Sequence, residues 1–407
     1  MTAPTPGRIP SHQSEERPWS QRQRGGTRED RMMDRVITRI PPRLADLDVG
    51  VTSATARAME RALEAIVRTD QSAGAEAPAL ARFMIRNESI ASSRIEHVSA
   101  SGADLARALV GSRANASARS MVAASRALHE MLLAAGRAGA LTIDDLRNAH
   151  RLLMQDDDSF GDRQWAGRVR EEQNWIGGSD HSPRGALFVP PPPDLIDRLL
   201  VDLEAFLARD DLPVLLQATI AHGQFESIHP FTDGNGRIGR ALIAGILQCR
   251  GVTRNAAVPV ASGLYALREQ YFAALGAYRE GDLGPLVDVL CRSAEAAATE
   301  ARVSFERLRE MPGAWHEEVP GRGGSALARL LGILFAHPTF TVDEAREALG
   351  ASTAALYPAV ETLESAGILR EVTGRKRDRI WVVADVVDEL EDLDRRIGIR
   401  VGGAART

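Results

Sequence analysis

From about Arg31 into the 330s the chain is written in one period. Apolar residues recur at steps of three and four among Ala, Leu, Arg and Glu. Examples are LTIDDLRNAHRLLM (Leu141 to Met154), DLIDRLLVDLEAFLA (Asp194 to Ala208) and DLPVLLQATIAHGQF (Asp211 to Phe225). Such spacing lays an apolar stripe along one helix face, so the chain is expected to be mostly α. Its 407 residues predict two or three domains. Asp194 follows four prolines, a strong boundary, and is expected to cap the helix after it.

One interruption stands out. EEQNWIGGSDHSPRGALFVP (Glu171 to Pro190) sets Gly-Gly, Ser-Asp and Arg-Gly breakers between short apolar pairs. That pattern predicts a small β-hairpin, a flap. A lone hairpin is marginal, so it is expected to lie on the helical body over something it covers.

The two ends read differently. Residues 1–30 are rich in Pro, Gly, Arg and Ser and nearly free of aliphatics, which predicts a disordered tail. Residues 311–324, MPGAWHEEVPGRGG, read as a linker. Beyond it, ALARLLGILFAHP, TVDEAREALG and STAALYPAVETLESAG are helical, and ILREVTGRKRDRIWVV alternates around a turn at Gly374. Three short helices and a two-stranded wing make a winged helix-turn-helix domain. Leu356, Val360 and Leu363 are its expected core face, with Pro358 near the first turns of that helix.

Charge and composition narrow the partners. The net charge of −5 gives no global attraction to nucleic acid or a membrane. No uncharged apolar run approaches the ~18 residues of a spanning helix. The polar N-terminus lacks the apolar core of an export signal. Cys249 and Cys291 stand outside any metal-ligand spacing, so a reducing, cytoplasmic setting is expected. Between Glu347 and Leu369, across the would-be recognition helix, there is no Lys or Arg. The basic residues sit instead in the wing, at Arg370, Arg375, Lys376, Arg377 and Arg379. That distribution weighs against DNA and toward protein contact or homodimerisation.

The chemistry concentrates in HPFTDGNGRIGR, His229 to Arg240. A helix precedes it and another, ALIAGILQC, follows, so DGNG is a turn entering a helix. Backbone N–H groups there have no partner inside the helix, and glycines let a ligand come close, which together form an anion cradle. Arg237 and Arg240 share a helix face and can clamp a polyphosphate. Ile238, Leu242 and Ile246 fall opposite and anchor the helix. Asp233 offers a hard oxygen for Mg²⁺ (or Mn²⁺), and His229 can take a proton. Each feature alone has a plain structural reading: a lone His before Pro, a turn Asp-Gly, arginines on a solvated face. Their meeting in twelve residues describes transfer from a nucleotide to a hydroxyl.

That stretch matches, at every defined position, the H-x-F-x-D/E-G-N-G-R-x-x-R signature of Fic domains. GRVREEQNWIGG, ALFVPPPP and QYFAALGAYREGDLGPL also resemble that family, which the chain is similar to over roughly Arg43 to Glu310. The resemblance implies a Fic-type helical core acting as a protein adenylyltransferase, with ATP as co-substrate and AMP passed to a Ser, Thr or Tyr hydroxyl. It implies His229 as general base, Asp233 as metal ligand, and Gly234, Asn235 and Gly236 as anion hole. Arg237 would hold the β/γ-phosphates, Arg240 the γ-phosphate, and Phe231 would point inward. Gly236 stands where phosphate-donating variants carry Lys, which favours AMP transfer. Residues 174–188 would receive a target protein as an added strand. Ile176 and Gly177 would touch the nucleotide, and Arg279 would lie near the adenine. Self-modification is a further implied outcome.

Upstream, IASSRIEHV places Ser92 and Glu96 four apart on one helix face. Spacing alone reads as a surface helix with a salt-bridging Glu. The family resemblance instead implies an inhibitory Ser/Thr-x-x-x-Glu motif in which Glu96 engages Arg240, departing from the pattern at His97. The same Glu would alternatively orient a water for AMP removal, making the enzyme bifunctional. A nucleotide-sensing transcriptional regulator is the alternative from another class, against which the intact His229 argues. The expected organisation is a tail (1–30), an N-terminal helical region with the inhibitory motif (31–110), a Fic core (111–310), a linker (311–324) and the winged helix with a C-terminal helix (325–407).

Overall fold

The computed structural model describes residues 5–22, 25–74, 77–156, 162–375 and 377–404. In chain order the elements are β1 (Gln13–Pro18), α1 (Arg28–Met32), β2 (Arg35–Ile40), α2 (Ser53–Ser72), α3 (Ala77–Ile95), α4 (Gly102–Leu109), α5 (Ala116–Ala138) and α6 (Ile143–Met154). Then come α7 (Pro193–Leu207), α8 (Val214–Ile228), α9 (Asn235–Cys249), α10 (Val260–Ala266), α11 (Arg268–Arg279) and α12 (Gly284–Glu318). The C-terminal part adds α13 (Ala326–Leu334), β3 (Thr339–Thr341), α14 (Val342–Leu349), α15 (Thr353–Ser365), β4 (Leu369–Glu371), β5 (Ile380–Val383) and α16 (Ala384–Ala404). The architecture is mostly helical, as the periodicity predicts.

The chain divides into two units, each assembled from separated segments: 1–63, 126–252 and 267–292 in one, and 64–125, 253–266 and 293–407 in the other. Residues 325–407, read from the sequence as a winged helix, share their unit with residues 64–110.

At the centre of the first unit is α8, buried at every residue. A helix apolar on all sides can be stable only when covered on all sides. Several of its polar side chains bond to backbone carbonyls. Thr219 and Ser227 return their hydroxyls to the carbonyls of Leu215 and Gly223, each at 2.7 Å. Gln217 Nε2 reaches the carbonyls of Phe206, Leu207 and Arg209, closing the exposed end of α7. α9 packs against α8 through Gly239, where an added Cβ would stand 2.7 Å from Glu226 Oε1. Pro193 begins α7 with no side-chain cap, so Asp194 lies in the first turn instead of capping it. A proline at that place costs nothing, because its missing N–H would have lacked a partner.

The expected disordered tail is partly an element. β1 pairs antiparallel with β2, Gln13 opposite Ile40 and Pro18 opposite Arg35. Ile9 and His12 are buried at 7% and 5% exposure, and their N–H groups bond the carbonyls of Gly281 and Arg279. Composition misses this because the ladder draws on backbone groups, which every residue but proline carries. Residues 1–4, 23 and 24 of that stretch lie outside the described residues. The expected hairpin at Asn174 to Phe188 closes on a single bridge, Ile176 to Phe188, with Ile176 N–H donating to Phe188 at 2.9 Å.

In the second unit, helix continues through much of the expected linker, to Glu318, with Pro312 inside α12. An internal proline costs about 3 kcal/mol. Trp315, 1% exposed, offsets it by burying an indole whose Nε1 donates to Asp385 at 2.7 Å. α13, α14 and α15 are accompanied by a three-stranded sheet in the order β3–β5–β4, where the sequence reading expects a two-stranded wing. Leu356, Val360 and Leu363 are fully buried there. Pro358 lies inside α15, in its second turn. Lys376 of the basic wing lies outside the described residues.

Candidate active site

The loop joining α8 to α9 begins with strain. His229 ends α8 in the left-handed region, φ 49° and ψ 60°, while its N–H still donates to Phe225 at 2.9 Å. A non-glycine residue there is uncommon and costs stability. Three sets of contacts hold it. Arg170, 1% exposed, donates Nε to the His229 carbonyl at 2.9 Å, Nη1 to Glu172 at 2.8 Å and Nη2 to Pro191 at 2.6 Å. Its own N–H donates to Pro230 at 2.9 Å. Phe231 is driven inward, 1% exposed, against Phe225 and the ring of His150. Asn235 clips the loop to α9, accepting from Phe231 N–H at 2.9 Å and donating to its carbonyl at 2.8 Å.

α9 then starts without a side-chain cap. Gly234, its N-cap, has φ 76°, and a Cβ there would meet Leu153 at 2.9 Å. The first backbone N–H groups, from Asn235 and Gly236 onward, have no carbonyl a turn earlier in the helix, which is the arrangement that binds anions. Asp233 stands beside them, its side chain 58% exposed. Its Oδ1 accepts from Gly234 N–H at 2.6 Å, and Oδ2 is 3.4 Å from Arg237. Arg237 and Arg240 are 6% and 1% exposed, so they are two buried cations on the first turns of α9 and not a solvated face. Ile238, Leu242 and Ile246 are buried as anchors.

His229 Nδ1 is 2.9 Å from Asn174 Nδ2 and 3.2 Å from Asn235 Nδ2. Burial, then the guanidiniums of Arg170 and Arg279, push its pKa down to about 3, so the imidazole is neutral at physiological pH. Arg279, at the end of α11, stacks 3.6 Å from the Phe188 ring centre, and burial lowers its own pKa to about 10. Ile176 is bridged to that same Phe188, with Gly177 next to it. The structure thus gathers His229, Asp233, Gly234, Asn235, Gly236, Arg237 and Arg240 around one helix start, with Ile176, Gly177 and Arg279 linked to them through Phe188 and the field of Arg279.

Ser92 and Glu96 belong to the second unit. Ser92 is buried on α3, and Glu96 follows its last residue, its N–H donating to Ser93 at 3.0 Å. His97 has φ 59°, the left-handed conformation that ends a helix. That explains why the implied motif carries Gly or Asn at this place.

Sequence reading missed three residues of the site. His150 on α6 donates or accepts at both ring nitrogens, with Asp233 carbonyl at 3.0 Å and Gly167 N–H at 2.9 Å. Its signal was available: it falls on the apolar face between Leu146 and Leu153. Asn174 and Arg170 carried no signal beyond standing at the edge of the flap.

The Fic/DOC family model matches residues 140–247. The chain is 30% identical over 193 residues to the protein adenylyltransferase Fic of Nematostella vectensis, across 45% of this chain and 41% of that protein. It is 39% identical over 106 residues to a probable protein adenylyltransferase of Aquifex aeolicus, across 26% of this chain and 30% of that one. A solved Fic family protein from Desulfovibrio desulfuricans is 21% identical, covering 82% of this chain and 96% of that one, with a TM-score of 0.49. The chain thus spans about two fifths or less of the length of these curated relatives. Through residues 140–247 it carries a domain of the Fic/DOC family.

Proposed function

We propose that this chain is a protein adenylyltransferase that moves AMP from ATP to a Ser, Thr or Tyr hydroxyl of a protein. One observation carries the reading: the imidazole of His229 is fixed within 3.2 Å of the first residue of a helix whose N-terminus is uncapped and flanked by two buried arginines. A base, an anion cradle and paired cations at one point suit attack on a phosphate.

In this reading the N–H groups of Gly234, Asn235 and Gly236 hold phosphate oxygens. Arg237 and Arg240 hold the outer phosphates, and Ile176, Gly177 and Arg279 hold the nucleoside end. The acceptor oxygen bonds to the α-phosphorus while the bond to the bridging oxygen breaks, and the electron pair leaves with pyrophosphate. His229 takes the hydroxyl proton. Asp233 fits a Mg²⁺ or Mn²⁺ ion: it is an exposed carboxylate beside the cradle with one oxygen turned to Gly234, and such ions take one or two carboxylates plus substrate phosphates. Among the described residues there is no cluster of three or more His, Cys, Asp or Glu side chains that could hold a metal by itself. When bound, the ion would neutralise phosphate charge.

The flap at 174–188 is read as the target's docking edge, with self-modification a further outcome. Glu96 is read as inhibitory with Ser92, from the motif they form. The winged helix is read as a protein-contact or homodimer module rather than a DNA reader. The proposed setting is cytoplasmic; no helix among the described residues is long and apolar enough to cross a membrane.

Incubation with ATP labelled at the α- or the γ-phosphate tests the activity. Label from the α-position should enter protein with wild type and more with Glu96→Gly, and not with His229→Ala. Equal uptake by His229→Ala, or uptake of γ-label, would overturn the reading.

A further inference from the structure

The hydrogen bonds around His229 specify its tautomer. Asn235 is held in one orientation, since its Oδ1 accepts from Phe231 N–H at 2.9 Å and its Nδ2 donates to the Phe231 carbonyl at 2.8 Å. Asn174 is oriented likewise, because its Nδ2 lies 3.0 Å from that same carbonyl. Both amide nitrogens therefore point an N–H at His229 Nδ1, from 2.9 and 3.2 Å. A nitrogen that receives N–H donors is an acceptor. In the neutral ring the one proton then sits on Nε2.

In that tautomer the ring is not yet set to take a proton at Nε2. Nε2 carries a hydrogen, and the lone pair of Nδ1 is engaged by two amides. To take a proton at Nε2 the ring must first carry its hydrogen on Nδ1 and present it to an acceptor. Asn235 cannot supply one without giving up both bonds to Phe231. Asn174 can: its Oδ1 is buried and has no hydrogen-bond partner among the described residues. A half-turn of the Asn174 amide would bring Oδ1 to Nδ1–H. The Phe231 carbonyl lies 3.0 Å from the present Nδ2 and the Asn235 amide faces Nδ1 at 3.2 Å, so that turn requires the flap and the ring to shift away from both. The Phe231 carbonyl keeps its 2.8 Å bond from Asn235.

We propose that Asn174 is a positioning residue that sets which nitrogen of His229 holds the proton. The arrangement seen is a resting one, and the turned amide forms the base. Because Asn174 is the first residue of the flap, movement of the flap and readiness of the base are coupled. The role in turnover rests on the adenylyltransferase reading; the tautomer assignment does not.

The test is nitrogen NMR of protein labelled with ¹⁵N-histidine at neutral pH, the His229 signals being those lost in His229→Ala. Wild type without nucleotide should show the proton on Nε2. Asn174→Asp keeps the shape and offers only acceptors, so a proton should appear on Nδ1. Asn174→Leu removes the shorter donor and should give a mixture. In turnover, Asn174→Leu should lose about 10²-fold in kcat, the order typical of general-base catalysis, with KM for ATP unchanged within about twofold. Asn174→Asp should retain most of the rate. An unchanged Nε2–H tautomer in both variants overturns the proposal. If the tautomer responds as expected but no form transfers AMP, the assignment of Asn174 stands and the reaction assigned above fails.

Discussion

His150 lies flat on Phe231, their ring centres 3.8 Å apart and their planes within 2° of parallel. The contact joins α6 to the loop that carries the chemistry, and the same imidazole reaches the Asp233 carbonyl. Removing it leaves a cavity beside Phe231 and a half-buried carbonyl without its partner. His150→Ala should therefore cost about 2–4 kcal/mol in denaturant unfolding. It should also lower kcat, because the loop from His229 to Asp233 loses its backing. A variant that unfolds at the wild-type midpoint and keeps full activity would show that the stacking is incidental.

Histidines of this unit also set an acid limit. Burial pushes His12, His150 and His222 down to about 3 from an ordinary 6.5. Arg279 and Arg39 add to this at His12, Arg237 at His150 and Arg240 at His222. Folded, they stay neutral; unfolded, they bind protons below about pH 6.5. The unfolded state therefore gains protons first, and stability that is complete above that pH is lost as pH falls toward about 3. Each histidine contributes a slope of at most ~1.4 kcal/mol per pH unit. Unfolding midpoints at about pH 7 and about pH 5 should differ, and His150→Gln should reduce the difference by one histidine's share. Equal midpoints at the two pH values would contradict the burial of these rings.

The helices and the site loop were legible because each depends on local pattern. A three-to-four period describes α6 to α9, and HPFTDGNGRIGR holds its proposed chemistry within twelve residues. What stayed hidden depends on distant partners. β1 forms in a polar, proline-bearing stretch because β2 supplies its ladder. α12 runs through Pro312 because Trp315 finds Asp385. Spacing places Arg237 and Arg240 on one helix face, but their burial depends on the folded chain around them. Asn174 and Arg170 act on His229 from more than fifty positions away, through amide and guanidinium groups that no spacing rule marks.

Arg170 is a buried cation whose guanidinium donates to three backbone carbonyls. Burial lowers its pKa to about 9, which still leaves it charged at neutral pH. A lysine is a single point donor and cannot span His229, Glu172 and Pro191 at once. Arg170→Lys should destabilise the protein by about 2–3 kcal/mol, since buried carbonyls lose charge-assisted bonds. It should lower labelling more than ATP affinity, because the carbonyl released belongs to His229 and not to the cradle. Calorimetric ATP binding weakened as much as the labelling rate would contradict that division.

Two adjacent positions separate helix termination from inhibition. His97 ends α3 at φ 59°, a conformation that costs about 1–2 kcal/mol for a residue with a side chain and nothing for glycine. Glycine is more flexible when unfolded, which takes back part of the gain. His97→Gly should therefore raise unfolding stability by about 0.5–1 kcal/mol, and its labelling rate should stay at the low wild-type level. Glu96→Gly removes the carboxylate assigned the inhibitory role and should raise labelling by about tenfold or more, a release of ~1.4 kcal/mol or more. If the motif inhibits only by shaping the helix end, both substitutions should change the rate alike. If the carboxylate inhibits, only Glu96→Gly should. Equal rates for wild type and Glu96→Gly would remove Glu96 from the regulation altogether.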